Sequence, residues 1–179
     1  VDPIWDVAVL AIEGAHNLSE RVQPREVVLV TSRLEVHRWL TQPERIWPRY
    51  VDDRRQGLAL GVPASRLGTG IEPAVVAEEL AAAAEGYRVH CEEAAFSSAW
   101  LGALYGFLRK PIPFNIRPIE DLFTELLPIA NAAGVTQLAM QRAHRLHPSI
   151  PHTMSTACRA MEALQLITDR LEIGRAAAG

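Results

Sequence analysis

The order of hydrophobic runs predicts an α/β fold, a sheet covered by helices. Two β-type runs open the chain, and helical periods then alternate with short β-type runs through the second half, as expected of strands buried under helices. At 179 residues and 49% hydrophobic, one core suffices, so the expectation is a single domain spanning 1–179. A charged fraction of 22% excludes a disordered chain, and two cysteines exclude a disulfide-stapled miniprotein.

Trp5 to Glu13 (WDVAVLAIE), stopped by Gly14, and Glu26 to Ser32 (EVVLVTS) read as strands because apolar and β-branched residues concentrate there. They can pair as a hairpin across AHNLSERVQP. From about 41 to 70, prolines, glycines and clustered Arg and Asp predict a long irregular insertion, of a kind that in compact domains is functional or mobile. Pro73 then sets the first turn of a helix that runs to Glu85 and stops at Gly86. YRVH is a short strand, Glu92 to Leu108 an amphipathic helix ended by KPIP, and FNI at 114–116 another strand. Pro118 starts a helix to about Ala132, Gly134 breaks it, and Val135 to Leu146 forms the next. HPSIP interrupts before a last helix from about His152 to Glu172.

Eighteen basic against 21 acidic residues give a formal charge of -3, which excludes the footprint of a non-specific duplex binder but leaves room for a local basic groove. Lys110 is the single lysine; so arginine-rich a chain reflects genome composition as readily as a preference for bidentate phosphate contacts. Cys91 and Cys158 match no metal-ligand spacing and read as reduced, buried thiols. No run reaches the roughly 18 apolar residues of a membrane span. The opening VDPIWDVAVL lacks a basic n-region and a cleavage site, so a cytoplasmic protein with no membrane partner is expected, and an initial Val predicts residues upstream of it.

Three segments in order carry a family pattern. In VVAEELAAAAEGYRVHCEEAAFSSAWLGALYGFLRKPIPF, the residues His90, Ala94, Ala95, Phe96, Trp100, Leu101 and Leu104 fit a helix, a strand ending in His, two small residues, Phe, and a second helix. The strand and helix from Phe114 to Leu127 follow. LAMQRAHRLHPSIPHTMSTACRAMEAL supplies a helix, a Pro-His turn and a closing helix in which His152, Cys158, Arg159, Ala160 and Ala163 hold register. Over roughly residues 71–167 the chain resembles the DEDDh 3'-5' exonuclease family, RNase H-like nucleases that include the proofreading subunit of replicative polymerases. The resemblance implies an exonuclease-type, RNase H-like mixed sheet flanked by helices.

It also implies four carboxylates holding two divalent ions, Mg²⁺ or Mn²⁺, that orient the terminal phosphodiester and activate the attacking water, with a histidine accepting the proton. The position of the Asp after Phe is Ser97, and the position five beyond His152 is Ala157. Neither side chain is an anionic ligand for Mg²⁺. Two registers are open for the acidic first strand. If VAVLAIEG is that strand, Ala11 stands for the Asp and Glu13 keeps the Glu; if VDPIWDVAVL matches the segment after the first loop, the acidic strand is absent. The first is favoured. Glu13 and His152 are then vestiges of the catalytic set and Ala11, Ser97 and Ala157 its degenerate ligand positions. No metal and no cofactor is expected. Glu93, four residues before Ser97, would share its helix face, but Glu92 and Glu93 read better as an acidic first helical turn.

Trp39, Trp47 and Tyr50 interleave with Arg38, Arg45, Arg49, Arg54 and Arg55, a mixture suited to stacking bases and neutralising phosphates or to anchoring a protein partner. The expectation is thus a pseudoenzyme that binds single-stranded nucleic acid or a protein partner. The alternatives are an active Mg²⁺- or Mn²⁺-dependent exonuclease with substituted ligands, an assembly subunit, and a helix-turn-helix DNA-binding module over Gly134 to Leu164, whose turn is long for that motif. His144, His147 and His152 lack a convincing fourth ligand and read as solvated or capping residues.

Overall fold

A computed structural model describes residues 6–16, 22–42, 70–126, 141, 157–158, 160–165 and 169. The strands β1 (Val7–His16) and β2 (Val22–Thr31) pair antiparallel, from Ala8 opposite Thr31 to His16 opposite Val22. The expected hairpin partners are therefore correct, but both strands extend further toward their connection. A register shift between Glu13 and Gly14 absorbs an extra residue and lets the ladder continue past the glycine.

The third strand, β3 (Val36–Leu40), pairs antiparallel with β2 and was not anticipated. It has five residues and only Trp39 is buried, so no alternation marks it. On the other side of β1 lie β4 (Arg88–Cys91) and β5 (Ile116–Pro118), both parallel, giving one mixed sheet of order β3-β2-β1-β4-β5. The expected strand FNI is displaced by two residues, and Pro118 ends β5 rather than starting the following helix.

Three described helices complete the architecture: α1 (Pro73–Ala84), α2 (Ala94–Leu108) and α3 (Ile119–Leu126). Gly86, at φ 80°, takes the left-handed conformation that ends the α1 segment, as its sequence position predicted. Buried positions at 97, 100, 101, 104 and 105 give α2 its apolar stripe.

Alternation along β1 separates two cores. Ala8, Leu10 and Ile12, with Val27, Leu29 and Trp39, pack against α1 and α2. Val7, Val9 and Ala11, with Val28 and Val30, pack against Ile119, Leu122 and Phe123 of α3 and against the helical residues Ala157, Ala160, Met161, Ala163 and Leu164. Complete burial of Leu80, Leu101, Leu104 and Leu122 is worth about 1.5–3 kcal/mol each. This is the mixed sheet flanked by helices that was expected. The insertion near 41–70 is described only at its ends, where Thr41 and Ile71 form a parallel bridge; the helix expected at 135–146, apart from the helical Gln141, and most of the last helix also lie outside the described residues. No described helix is long and apolar enough to cross a membrane.

Candidate functional site

β4 accompanies β1 only from Val7 to Val9, opposite Arg88 to His90. Beyond that point β1 runs on toward His16 paired only with β2, while the chain leaves Cys91, turns through Glu92 and Glu93, and enters α2. A cavity of about 170 Å³ opens in the gap, lined by β1 from Val9 to Glu13, by Cys91, Glu92 and Glu93, and by Ser97 and Trp100 of α2. It lies at the carboxyl ends of parallel strands, the usual place for a ligand on an open α/β sheet.

Ala11, Glu13 and Ser97 thus line one cavity, and β1 occupies the centre of the sheet. Ala157 has no exposed surface and shares the apolar cluster of Ala11 rather than lining the cavity. Helix α2 starts at Ala94, with Glu93 as its N-cap residue making no side-chain capping bond. The expected acidic first turn is therefore corrected: both glutamates precede the helix, exposed and at the cavity. The lining residues include Glu13, Glu92 and Glu93 and, among those described, no lysine or arginine. Such a lining repels a bare phosphate and attracts cations.

The aromatic wall is Trp100, against which the Phe96 ring lies tilted at 6.2 Å between centroids. Phe96 is 53% exposed, so a face is available for stacking a planar group. Cys91 is buried and its thiol lies 3.9 Å from the carbonyl oxygen of Arg117; burial pushes its pKa up, which keeps it a neutral thiol. Both cysteines are free, as expected.

Two residues assigned to a nucleic-acid or partner surface are engaged elsewhere. Trp39 is 6% exposed, stacks on His37 and donates its indole N–H to Oε2 of Glu79 at 2.7 Å, so it belongs to the core and offers no face to a base. Arg38 donates from Nε to Oε1 of Glu26 at 2.5 Å. Arg45, Trp47, Arg49, Tyr50, Arg54, Arg55 and His152 lie outside the described residues, as do His144 and His147 and the turn of the helix-turn-helix alternative. Sequence reasoning missed Glu26, because a lone acid beside a β-branched run reads as a strand boundary. It also missed the lining role of Trp100, whose i+3 spacing from Ser97 was the available signal.

No protein-family model matches the chain, and no curated protein matches it. Solved structures do. The nuclease domain of 3'hExo, a DEDDh family member bound to rAMP, superposes with a TM-score of 0.66 over 94% of this chain and 95% of that one, at 13% identity. E. coli Exonuclease I in complex with a dA16 oligonucleotide gives 0.61 over 93% of this chain and 42% of that one, at 8% identity. S. pombe Pop2p in its Mg²⁺- and Mn²⁺-bound form gives 0.55 over 90% and 81%, at 13% identity. The chain has the RNase H-like fold of DEDDh-family 3'-exonuclease domains.

Proposed function

We propose that this domain binds the end of a single-stranded nucleic acid in the cavity beside β1 without cleaving it. The observation that carries the reading is the lining itself: where the resemblance assigns carboxylates, Ala11 offers a methyl group and Ser97 a hydroxyl, and Glu13 alone an anion. Ala157, the fourth position, is sealed in the apolar core at zero exposure. The donors at these four positions do not fit a pair of divalent ions, whose charge needs several hard anionic oxygens; the two other carboxylates of the lining, Glu92 and Glu93, are exposed ahead of α2 and stand at none of the four. Hydrolysis by the two-ion route therefore has no support from these side chains.

Binding has support. Trp100 lines the cavity, the exposed ring of Phe96 lies against it, and stacking on an aromatic face tolerates any base. Solved structures with this fold hold rAMP and an oligonucleotide. The acidic lining favours the base and sugar over phosphate, so we assign the backbone contacts to the arginines of the insertion, Arg45, Arg49, Arg54 and Arg55.

The test uses 5'-labelled single-stranded DNA and RNA. Fluorescence anisotropy should rise with protein and fall with salt, as released counterions require. Phe96→Ala should weaken binding by about tenfold, within the range measured for a lost base stack. With Mn²⁺ present the label should stay at full length. Metal-dependent shortening from the 3' end, abolished by Glu13→Ala, overturns the proposal, and flat anisotropy at low salt replaces it with a protein partner.

A further inference from the structure

The turn between β2 and β3 uses Ser32, Arg33 and Leu34: the Thr31 amide donates to the carbonyl oxygen of Glu35 at 3.0 Å, and the Leu34 amide to that of Thr31 at 2.9 Å. A hairpin loop of this kind asks for glycine at its left-handed position. Leu34 stands there instead, at φ 62° and 57% exposed. One residue thus combines a backbone conformation that disfavours any side chain with an apolar side chain left in water. Val36, the first residue of β3, is 47% exposed.

β3 ends the sheet order, and no shift interrupts its register with β2. The Thr41 amide donates to the carbonyl oxygen of Arg25 inside the β2–β3 ladder, whereas Leu40 and Gln42 bond to Ile71 on the outer side. Backbone groups alternate in this way along an antiparallel strand, so Val36 points its N–H and C=O away from β2. Among the described residues nothing bonds them. An edge left so, without a proline or a bulge, is a template for another strand.

We propose that this edge pairs with the same edge of a second copy of the chain, antiparallel about a two-fold axis at Val36. Such self-complementary contacts are the commonest way chains associate. Val36 then opposes Val36 of the second copy as a hydrogen-bonded pair, and Glu35 opposes His37 of the second copy on both sides of the axis. Glu35 is exposed, and a ring N–H of His37 suits its carboxylate. An axis at His37 sets Glu35 against Trp39, and an axis at Arg38 sets two guanidinium groups face to face. The charges therefore select the Val36 register. β2 separates this edge from β1, so both cavities stay open and the pairing does not depend on what they bind. The free stretch of edge is short, which makes the dimer a reversible one.

Sedimentation equilibrium of the full chain, with no oligonucleotide present, should show monomer and dimer exchanging with concentration. Val36→Lys places two ammonium groups opposite each other and should weaken association by about tenfold or more. Leu34→Gly should weaken it without lowering the urea midpoint, which separates a lost contact from a damaged fold. Glu35→Arg should weaken it too, and adding His37→Glu should restore it. Under oxidising conditions Val36→Cys should cross-link to a covalent dimer faster than Val75→Cys, at an exposed valine of α1. A chain that is monomeric at every concentration, association as strong in Val36→Lys as in the wild type, or equal cross-linking of the two cysteine variants overturns the proposal.

Discussion

His90 has no exposed surface, gives Nδ1 to the carbonyl oxygen of Pro118 at 3.2 Å, and leaves Nε2 buried without a partner. Burial is the main cause that lowers its pKa, with Arg88 and Arg117 adding to it. The folded chain therefore refuses a proton that the unfolded chain accepts near the ordinary value of about 6.5. Stability is whole above that pH and falls as the pH drops below it. The urea midpoint should decline between pH 7.5 and 5.5, and His90→Asn, which keeps a donor toward Pro118 and cannot titrate, should flatten the decline. An unchanged slope in that variant would place the dependence on other groups. Trp39 shows why side-chain environment is hard to read from sequence at this scale. Its neighbours His37, Arg38 and the arginines beyond made it look exposed, yet a single indole N–H bonded to Glu79, distant in sequence, secures its place inside.

Between elements, α1 and α2 are joined by the hydroxyl of buried Tyr105, which donates to the carbonyl oxygen of Ala77 at 2.8 Å; burial pushes the phenol's pKa up to about 12, so it remains a donor. Tyr105→Phe should cost about 1 kcal/mol, visible as a lower urea midpoint at unchanged slope. Gly70 holds the ends of the insertion together. A Cβ there would meet the amide nitrogen of Gln42 and the carbonyl oxygen of Leu40 at 2.6 Å, so Gly70→Ala should open the neighbouring bonds between Ile71 and the Leu40–Gln42 segment. Faster hydrogen exchange at Ile71 and Gln42, with α2 unaffected, is the expected signature. The elements that were legible had local marks: Pro73 at a helix start, Gly86 at its end, and an uninterrupted apolar period on α2. β3 had none: it follows β2 across a short turn at 32–35, but only Trp39 among its five residues is buried, so neither alternation nor a continuous apolar run marks it.

Over the whole molecule, the sheet order places the end of β1 beside the start of α2, which is why Ala11, Glu13 and Ser97, more than eighty residues apart at the extremes, line one cavity. The sequence register grouped those three positions with Ala157, and it gave no sign that Ala157 lies among apolar residues instead of on the lining. The difference has an energetic consequence. An Asp at position 157 enters an apolar cluster with no counter-charge among the described residues, and an uncompensated buried charge costs about 3–5 kcal/mol. Ala11→Asp and Ser97→Asp face the cavity, where water or an ion can meet them. The triple substitution should therefore melt well below the wild-type chain in chelator, chiefly because of Ala157→Asp. Added Mn²⁺ should restore part of that loss, since an ion that binds only the folded state stabilises it in proportion to the logarithm of its concentration. Thermal unfolding of the single and triple variants with and without Mn²⁺ measures both terms. A triple variant no more responsive to Mn²⁺ than the wild-type chain would mean that these positions do not converge on a common ion, and the correspondence drawn for Ala11, Ser97 and Ala157 would be lost with it.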